Sequence, residues 1–250
     1  MCLVALAWQL HPVQDLIVAA NRDERHARAT APLDLWPELP GVAAGRDLAA
    51  GGSWLGVDTR GRFACVTNYR GEPTRAGSSH SRGRLVSGFL GGAADAADYL
   101  AALEADADRY PGFNLVIADS RTLWYASNRA ATFAQQLGPG VHGLSNDLLD
   151  VAWPKVERCK QGLRSELDTG GPAPAALFDL LAERKPGTAP ATAGLPWPAT
   201  SGPFIAHDDY GTRCSTVVLR QPGSTWVGER RFGRGGQADG SSALRIHRAA

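Results

Sequence analysis

Cys2-Leu3-Val4-Ala5-Leu6-Ala7-Trp8, a polar turn through His11-Pro12-Val13-Gln14, and Asp15-Leu16-Ile17-Val18-Ala19-Ala20 running into Asn21-Arg22-Asp23-Glu24 form the stretch on which the fold turns. Two short apolar runs bounded by turn residues read as buried strands joined in a hairpin. Antiparallel pairing brings the start of one strand beside the end of the next, which sets Cys2 next to Arg22 or its neighbours. Cys2 thus heads a buried strand rather than a frayed end.

The chemistry of that position is specific. Removal of Met1, sterically allowed before a small residue, leaves a thiol of pKa roughly 8.5 beside an α-amine of pKa about 7.7 to 8.0, so a nucleophile carries its own base. A guanidinium near the sulfur favours thiolate, and a carboxylate can hold the protonated amine. Neighbouring strand residues point to opposite faces, so Arg22 and Asp23 share one pocket only if the backbone bends between them.

Working outward, 250 residues suffice for one sizeable core, and no linker divides the chain, so a single domain is expected over 1–232. The 26 basic and 25 acidic residues nearly cancel, which removes the electrostatic basis for nucleic-acid binding. No apolar segment approaches the roughly 20 residues of a membrane span, and no basic stretch opens a secretory signal, so the expected address is the cytoplasm. Cys2, Cys65, Cys159 and Cys214 are scattered, which indicates neither a disulfide framework nor a structural metal.

After the first hairpin comes a Pro-rich connection through Pro32, Pro37 and Pro40. A second strand pair follows, Gly51-Gly52-Ser53-Trp54-Leu55-Gly56-Val57 and Arg62-Phe63-Ala64-Cys65-Val66-Thr67-Asn68, turning at Asp58-Thr59-Arg60-Gly61. Residues 82–105 take a helical period and break near Gly91-Gly92; strands return at 113–118 and 122–127; helices fit 154–167 and 174–184; the last strands are 213–219 and 225–231. The segment 185–211 reads as a long surface loop, and 233–250 as a disordered tail rich in glycine and small polar residues. This order fits an α+β protein with helices packed outside two stacked, mainly antiparallel sheets.

Met1-Cys2, Ala19-Ala20-Asn21-Arg22-Asp23-Glu24, Gly51-Gly52-Ser53-Trp54-Leu55-Gly56, Thr67-Asn68-Tyr69, Gly112-Phe113-Asn114-Leu115, Gly143-Leu144-Ser145-Asn146 and Tyr210-Gly211-Thr212-Arg213 occur in this order. Together they resemble the NRDE family, also called the transport and Golgi organisation protein 2 family. That family is similar to N-terminal nucleophile hydrolases of the bile-salt hydrolase and penicillin V acylase type. The resemblance implies a four-layer αββα sandwich, with Cys2 as nucleophile, Arg22 and Asp23 as an early pair, Asn146 as an oxyanion or amine contact, Asn68 on the oxyanion side, and Arg213 as a late arginine. The hydrolases separate their early arginine and aspartate, whereas Arg22 and Asp23 are adjacent here.

Two functions are then expected. The first is cleavage or transfer of an acyl group from a small amide or thioester metabolite, needing no cofactor. The alternative is a carrier, with haem as cargo or a role in lipid homeostasis, using the same pocket without catalysis. No haem-attachment motif such as C-x-x-C-H is present to name an axial ligand.

Overall fold

The computed structural model describes residues 2–70, 80–185 and 202–248. Its strands assemble into two antiparallel sheets. The first contains β1 (Cys2–Trp8), β2 (Leu16–Arg25), β10 (Gly140–Leu144), β11 (Tyr210–Gln221), β12 (Ser224–Phe232) and β13 (Ala238–His247), in the order β10-β1-β2-β11-β12-β13. The second holds β3 (Thr30–Leu35), β4 (Val42–Asp47), β5 (Leu55–Asp58), β6 (Phe63–Asn68), β7 (Phe113–Ala118), β8 (Leu123–Ser127) and β9 (Ala134–Leu137), in sequence order.

The strand period of two sorts the core into layers. Val4, Leu6 and Trp8 of β1, with Leu16, Val18 and Ala20 of β2, face the second sheet and meet Leu55, Val57, Phe63 and Cys65. Leu3, Ala5, Ile17 and Ala19 leave by the other face, where α3 (Pro154–Asp168) and α4 (Pro174–Leu181) cover them with Val156, Cys159, Leu163, Leu177 and Leu181. On the far side, α1 (Gly83–Gly91) and α2 (Ala96–Glu104) lay Leu85, Val86, Phe89, Leu90 and Leu100 on Ala64, Leu115 and Ile117 of the second sheet. Both faces of both sheets are therefore apolar, and each fully buried leucine or phenylalanine contributes about 1.5–3 kcal/mol. The result is the αββα arrangement.

Helix ends follow local chemistry. Asp95 starts α2 by accepting from the Asp98 N–H at 2.9 Å, and prolines open α3 and α4 where a missing N–H costs nothing. At the end of the sandwich opposite Cys2, Arg220 of β11 is 1% exposed. Its guanidinium donates to both carboxylate oxygens of Asp15 (2.9 and 3.1 Å) and to the carbonyls of Gly61 and Asp119, both at 2.7 Å, while lying 5.1 Å over the Trp8 ring. One arginine thus rivets the first sheet to two turns of the second.

Two readings are corrected. The Pro-rich connection contains β3 and β4, which the prolines allow because they sit at an edge strand and outside the ladder positions. The tail after Gly233 is ordered over its described residues: β13 pairs with β12 from Ser224↔His247 to Phe232↔Ala238, and the domain continues to His247. Without β13, β12 would present an open edge of unpaired amides and carbonyls; Leu244 and Ile246 turn inward beneath it. The residues of the 185–211 loop numbered 186–201 lie outside the described residues.

Candidate active site

The β1–β2 register sets Cys2 directly opposite Arg22. Both side chains share the face that looks toward the second sheet, where a cavity of ≈ 600 Å³ opens at the end of the sandwich. Arg22 is 6% exposed; its guanidinium stacks 4.4 Å over Trp54 and lies 3.5 Å from an Asp47 oxygen that Arg28 Nε already holds at 2.7 Å. Arg22 Nη1 is buried with no hydrogen-bond partner among the described residues. A cation is therefore held beside the Cys2 thiol with donor capacity to spare.

The turn between β10 and α3 fixes the backbone of Cys2. The Cys2 N–H donates to Asn146 Oδ1 at 3.1 Å, Asn146 Nδ2 donates to the Asn68 carbonyl at 2.7 Å, and Ser145 Oγ donates to the Cys2 carbonyl at 2.7 Å. Thr67 Oγ1 donates to the Ser145 carbonyl at 2.7 Å, and fully buried Asn114 ties Thr67 to the Asp147 carbonyl while accepting from Tyr125. A polar seam running between the sheets places Cys2. Asn146→Ala, which strands the Cys2 N–H and the Asn68 carbonyl, is expected to lower stability by about 1–3 kcal/mol, read from urea unfolding.

Arg22 and Asp23 both border the cavity, yet their side chains leave β2 on opposite faces, as adjacent strand residues do. Asp23, 1% exposed, turns toward the α3 layer and accepts from Thr212 Oγ1 at 2.8 Å. Burial pushes its carboxyl above the usual range, against the pull of Lys155 and Arg22. The irregularity lies across from it, on β11: Thr212 pairs with Asp23 and Cys214 with Arg22, leaving Arg213 bulged out of register. Arg213, expected as a late arginine of the site, is engaged elsewhere in this structure. The bulge aims its guanidinium at the chain between β2 and β3, where Nη1 donates to the carbonyls of Arg25, His26 and Arg28 (3.2, 3.1 and 3.0 Å), and it does not border the cavity.

Asn68 borders the cavity beside Cys2. The other thiols are of a different kind: burial pushes Cys65 and Cys214 well above the ordinary thiol range and Cys159 up to about 12, so they remain protonated, while Cys2 is half-buried at the cavity. His142 is bonded to Asp150, and no group of three or more His, Cys, Asp or Glu is placed to hold a metal among the described residues.

Residues 1–234 match the family described as Transport and Golgi organisation 2. The chain belongs to that family. Curated Transport and Golgi organization protein 2 homologs from Bos taurus and Homo sapiens are 34% and 32% identical to it, each alignment covering 88% of both chains. The Drosophila melanogaster protein is 26% identical over 88% of this chain and 87% of its own. Among solved structures, a Caenorhabditis elegans N-acylethanolamine-hydrolyzing acid amidase ortholog superposes with a TM-score of 0.52 over 87% of this chain and 92% of that one, at 11% identity. The transport and Golgi organisation 2 chain thus has the fold of an N-terminal nucleophile hydrolase.

Within this family member, several motif residues build the site without entering it. Asn21 donates to the Leu181 and Pro203 carbonyls, both at 2.9 Å, and accepts from Ser215, pinning β2 beneath α4. Gly52 and Gly83 pack backbone to backbone, so that a Cβ on Gly52 would lie 2.4 Å from the Gly83 carbonyl carbon; only glycine lets the start of α1 reach the cavity rim. The residue that sequence reading missed is Lys155, fully buried in the first turn of α3. Its signal was present: a lysine just inside a helix N-terminus opposes the macrodipole and needs a compensating anion.

Proposed function

We propose that this protein is a cysteine-dependent hydrolase or acyltransferase acting on a small amide or thioester, with Cys2 as nucleophile once Met1 is removed. The observation that carries this reading is the placement of Cys2: first residue of a buried strand, opposite Arg22, its nitrogen against Asn146, its thiol at a cavity of ≈ 600 Å³. Removal of Met1 turns the Cys2 N–H into an amine within reach of Asn146 Oδ1. That amine takes the Sγ proton, Sγ bonds to the acyl carbon, and the tetrahedral oxyanion forms on the side of Asn68. The ammonium then returns its proton to the leaving group, and water or a second acceptor releases the acyl chain from sulfur. Arg22 favours thiolate throughout. The amidase named among the structural neighbours supports an amide as the first substrate class to try.

The test is the intact mass of protein made at low expression in its native host, followed by incubation with a panel of N-acyl amines and acyl thioesters. Met1 absent and an acyl adduct mapped to the Cys2 peptide support the mechanism. Met1 retained throughout overturns it. A carrier role is the second reading, favoured by His80, which borders the same cavity as Cys2 and adds an imidazole to the thiol as a donor for haem. It requires a saturable Soret shift that survives in protein retaining Met1.

A further inference from the structure

The edge of a sheet is where a chain can still form backbone pairs, and among the described residues the edges are β10 and β13 on the first sheet, β3 and β9 on the second. β10 and β9 are five and four residues long, and β3 is broken by an irregularity between Ala31 and Asp34, beside Pro32. Short or broken edges resist further pairing. β13 is different. From Ser241 to Ala238 it takes three steps against the two of β12 from Arg230 to Phe232, and Gly240 adopts φ 94° within that irregularity. Past it, Ser241 to His247 run in unbroken register with Arg230 to Ser224. This stretch holds no proline, no lysine and no charge facing the core, and it lies outside the residues 1–234 that match the family.

One bond sets the direction of its backbone groups. The Arg248 N–H donates to the Gly223 carbonyl at 2.9 Å, so the even-numbered residues of the stretch turn their N–H and C=O to β12. The odd-numbered ones, Ser241, Ala243, Arg245 and His247, turn theirs away from the sheet; all four are exposed, and no described strand pairs with that side. Leu244 and Ile246 meanwhile face the second sheet and join the core. At the His247 end, Leu35, Trp36, Pro37 and Pro40 border a cleft of ≈ 480 Å³ together with Ile246, and Leu35 is 51% exposed.

We propose that the outer edge of β13 is a dimer interface, on which a second copy of this chain lays its own β13 antiparallel about a two-fold axis at Leu244. A bonded pair needs an outward-turned residue on each strand, which restricts where the axis can fall. An axis at Leu244 pairs Ser241 with His247 and Ala243 with Arg245 of the second copy, and symmetry repeats both pairs, so every outward residue of the regular stretch is bonded. An axis at Ala243 sends His247 against the irregularity at Gly240, and one at Arg245 sets arginine directly against arginine. The Leu244 axis also makes the two Leu244 residues a non-hydrogen-bonded pair, with Cα atoms about 4.5 Å apart, and sets Ile246 against Ser242. The apolar layer then runs across both molecules. β13 is thus complementary to itself in bond direction, side-chain layer and charge, and a two-fold pairing closes the edge instead of propagating along it.

The experiment is the molar mass of the full chain by sedimentation across the micromolar range, in wild type, Ala243→Pro, Ala243→Lys and Ala243→Glu, with far-UV circular dichroism to follow the fold. Wild type is expected to sediment as a dimer. Ala243→Pro removes an outward N–H that β12 does not use and should give a folded monomer. Ala243→Lys sets an ammonium opposite Arg245 of the second copy, twice by symmetry, and should weaken the dimer roughly tenfold, whereas Ala243→Glu should hold or tighten it. That opposition of sign belongs to this register alone. A monomeric wild type overturns the proposal, as does a dimer on which the Lys and Glu variants act alike, which would put the interface elsewhere. If Ala243→Pro fails to fold, the Lys and Glu variants decide by themselves.

Discussion

Replacing Cys2 by alanine is expected to abolish acyl transfer while leaving the fold intact. The variant keeps the α-amine, the Asn146 contact and the Arg22 cation but has no atom to form the thioester, and loss of a covalent nucleophile lowers turnover on the order of 10⁴-fold or more. Cys2 is half-buried and its thiol has no hydrogen bond among the described residues, so the thermal midpoint should move little. The check is steady-state turnover, and adduct formation by mass, on whichever acyl donor labels the wild type. Cys2→Ser retains an oxygen nucleophile of higher pKa and should fall between the two. Full turnover in Cys2→Ala would rule out the mechanism.

Arg220→Met is expected to produce the largest loss of stability, about 2–4 kcal/mol, chiefly because it strands two carbonyls at about 1–3 kcal/mol each, while Asp15, a third exposed, can turn to water. The substitution takes away the charge facing Asp15 and leaves the Gly61 and Asp119 carbonyls without their donor in a site 1% exposed. Against a typical total of about 5–15 kcal/mol the protein would become marginal. Leu16, at the Arg220 end of β2, and Arg22, at the Cys2 end, are separated by roughly 20 Å along the strand. Urea unfolding should thus record a lower midpoint while the Cys2 alkylation rate in native buffer stays near that of wild type. A loss below about 1 kcal/mol would show that the rivet is dispensable.

What could be read in advance follows from the range over which each signal acts. The β1–β2 hairpin, and with it the placing of Cys2 beside Arg22 or its neighbours, was legible because apolar period and turn residues are local; the exact register was not. The helices from Gly83, Ala96, Pro154 and Pro174 were legible for the same reason. β13 was not: its first residues, Ala238-Asp239-Gly240-Ser241-Ser242, have no strand propensity of their own and are ordered by pairing with β12, a tertiary effect. The contacts of Arg213 were not legible, because they follow from a β-bulge on β11 that composition does not show. Asn21 and Asn114 stood inside recognisable motifs, yet their work is to satisfy carbonyls and hydroxyls far away in sequence, which spacing cannot reveal. Lys155 belongs with them, since only the packing of α3 on the first sheet buries it.

The hydrogen bond from Cys2 to Asn146 joins residues 144 positions apart, and β1 is flanked by β2 on one side and by the much later β10 on the other. During synthesis the first strand therefore emerges long before the partner that closes its outer edge. At about 5–20 residues per second the ribosome needs on the order of 10 s to reach Asn146, and through that interval the start of the chain stays open to a processing aminopeptidase. Once the β10–α3 turn docks, the nitrogen of Cys2 is engaged. On the mechanism proposed above, maturation of Cys2 becomes a race between methionine excision and the translation of the chain's own middle, and slow excision would yield folded molecules locked in the unprocessed form.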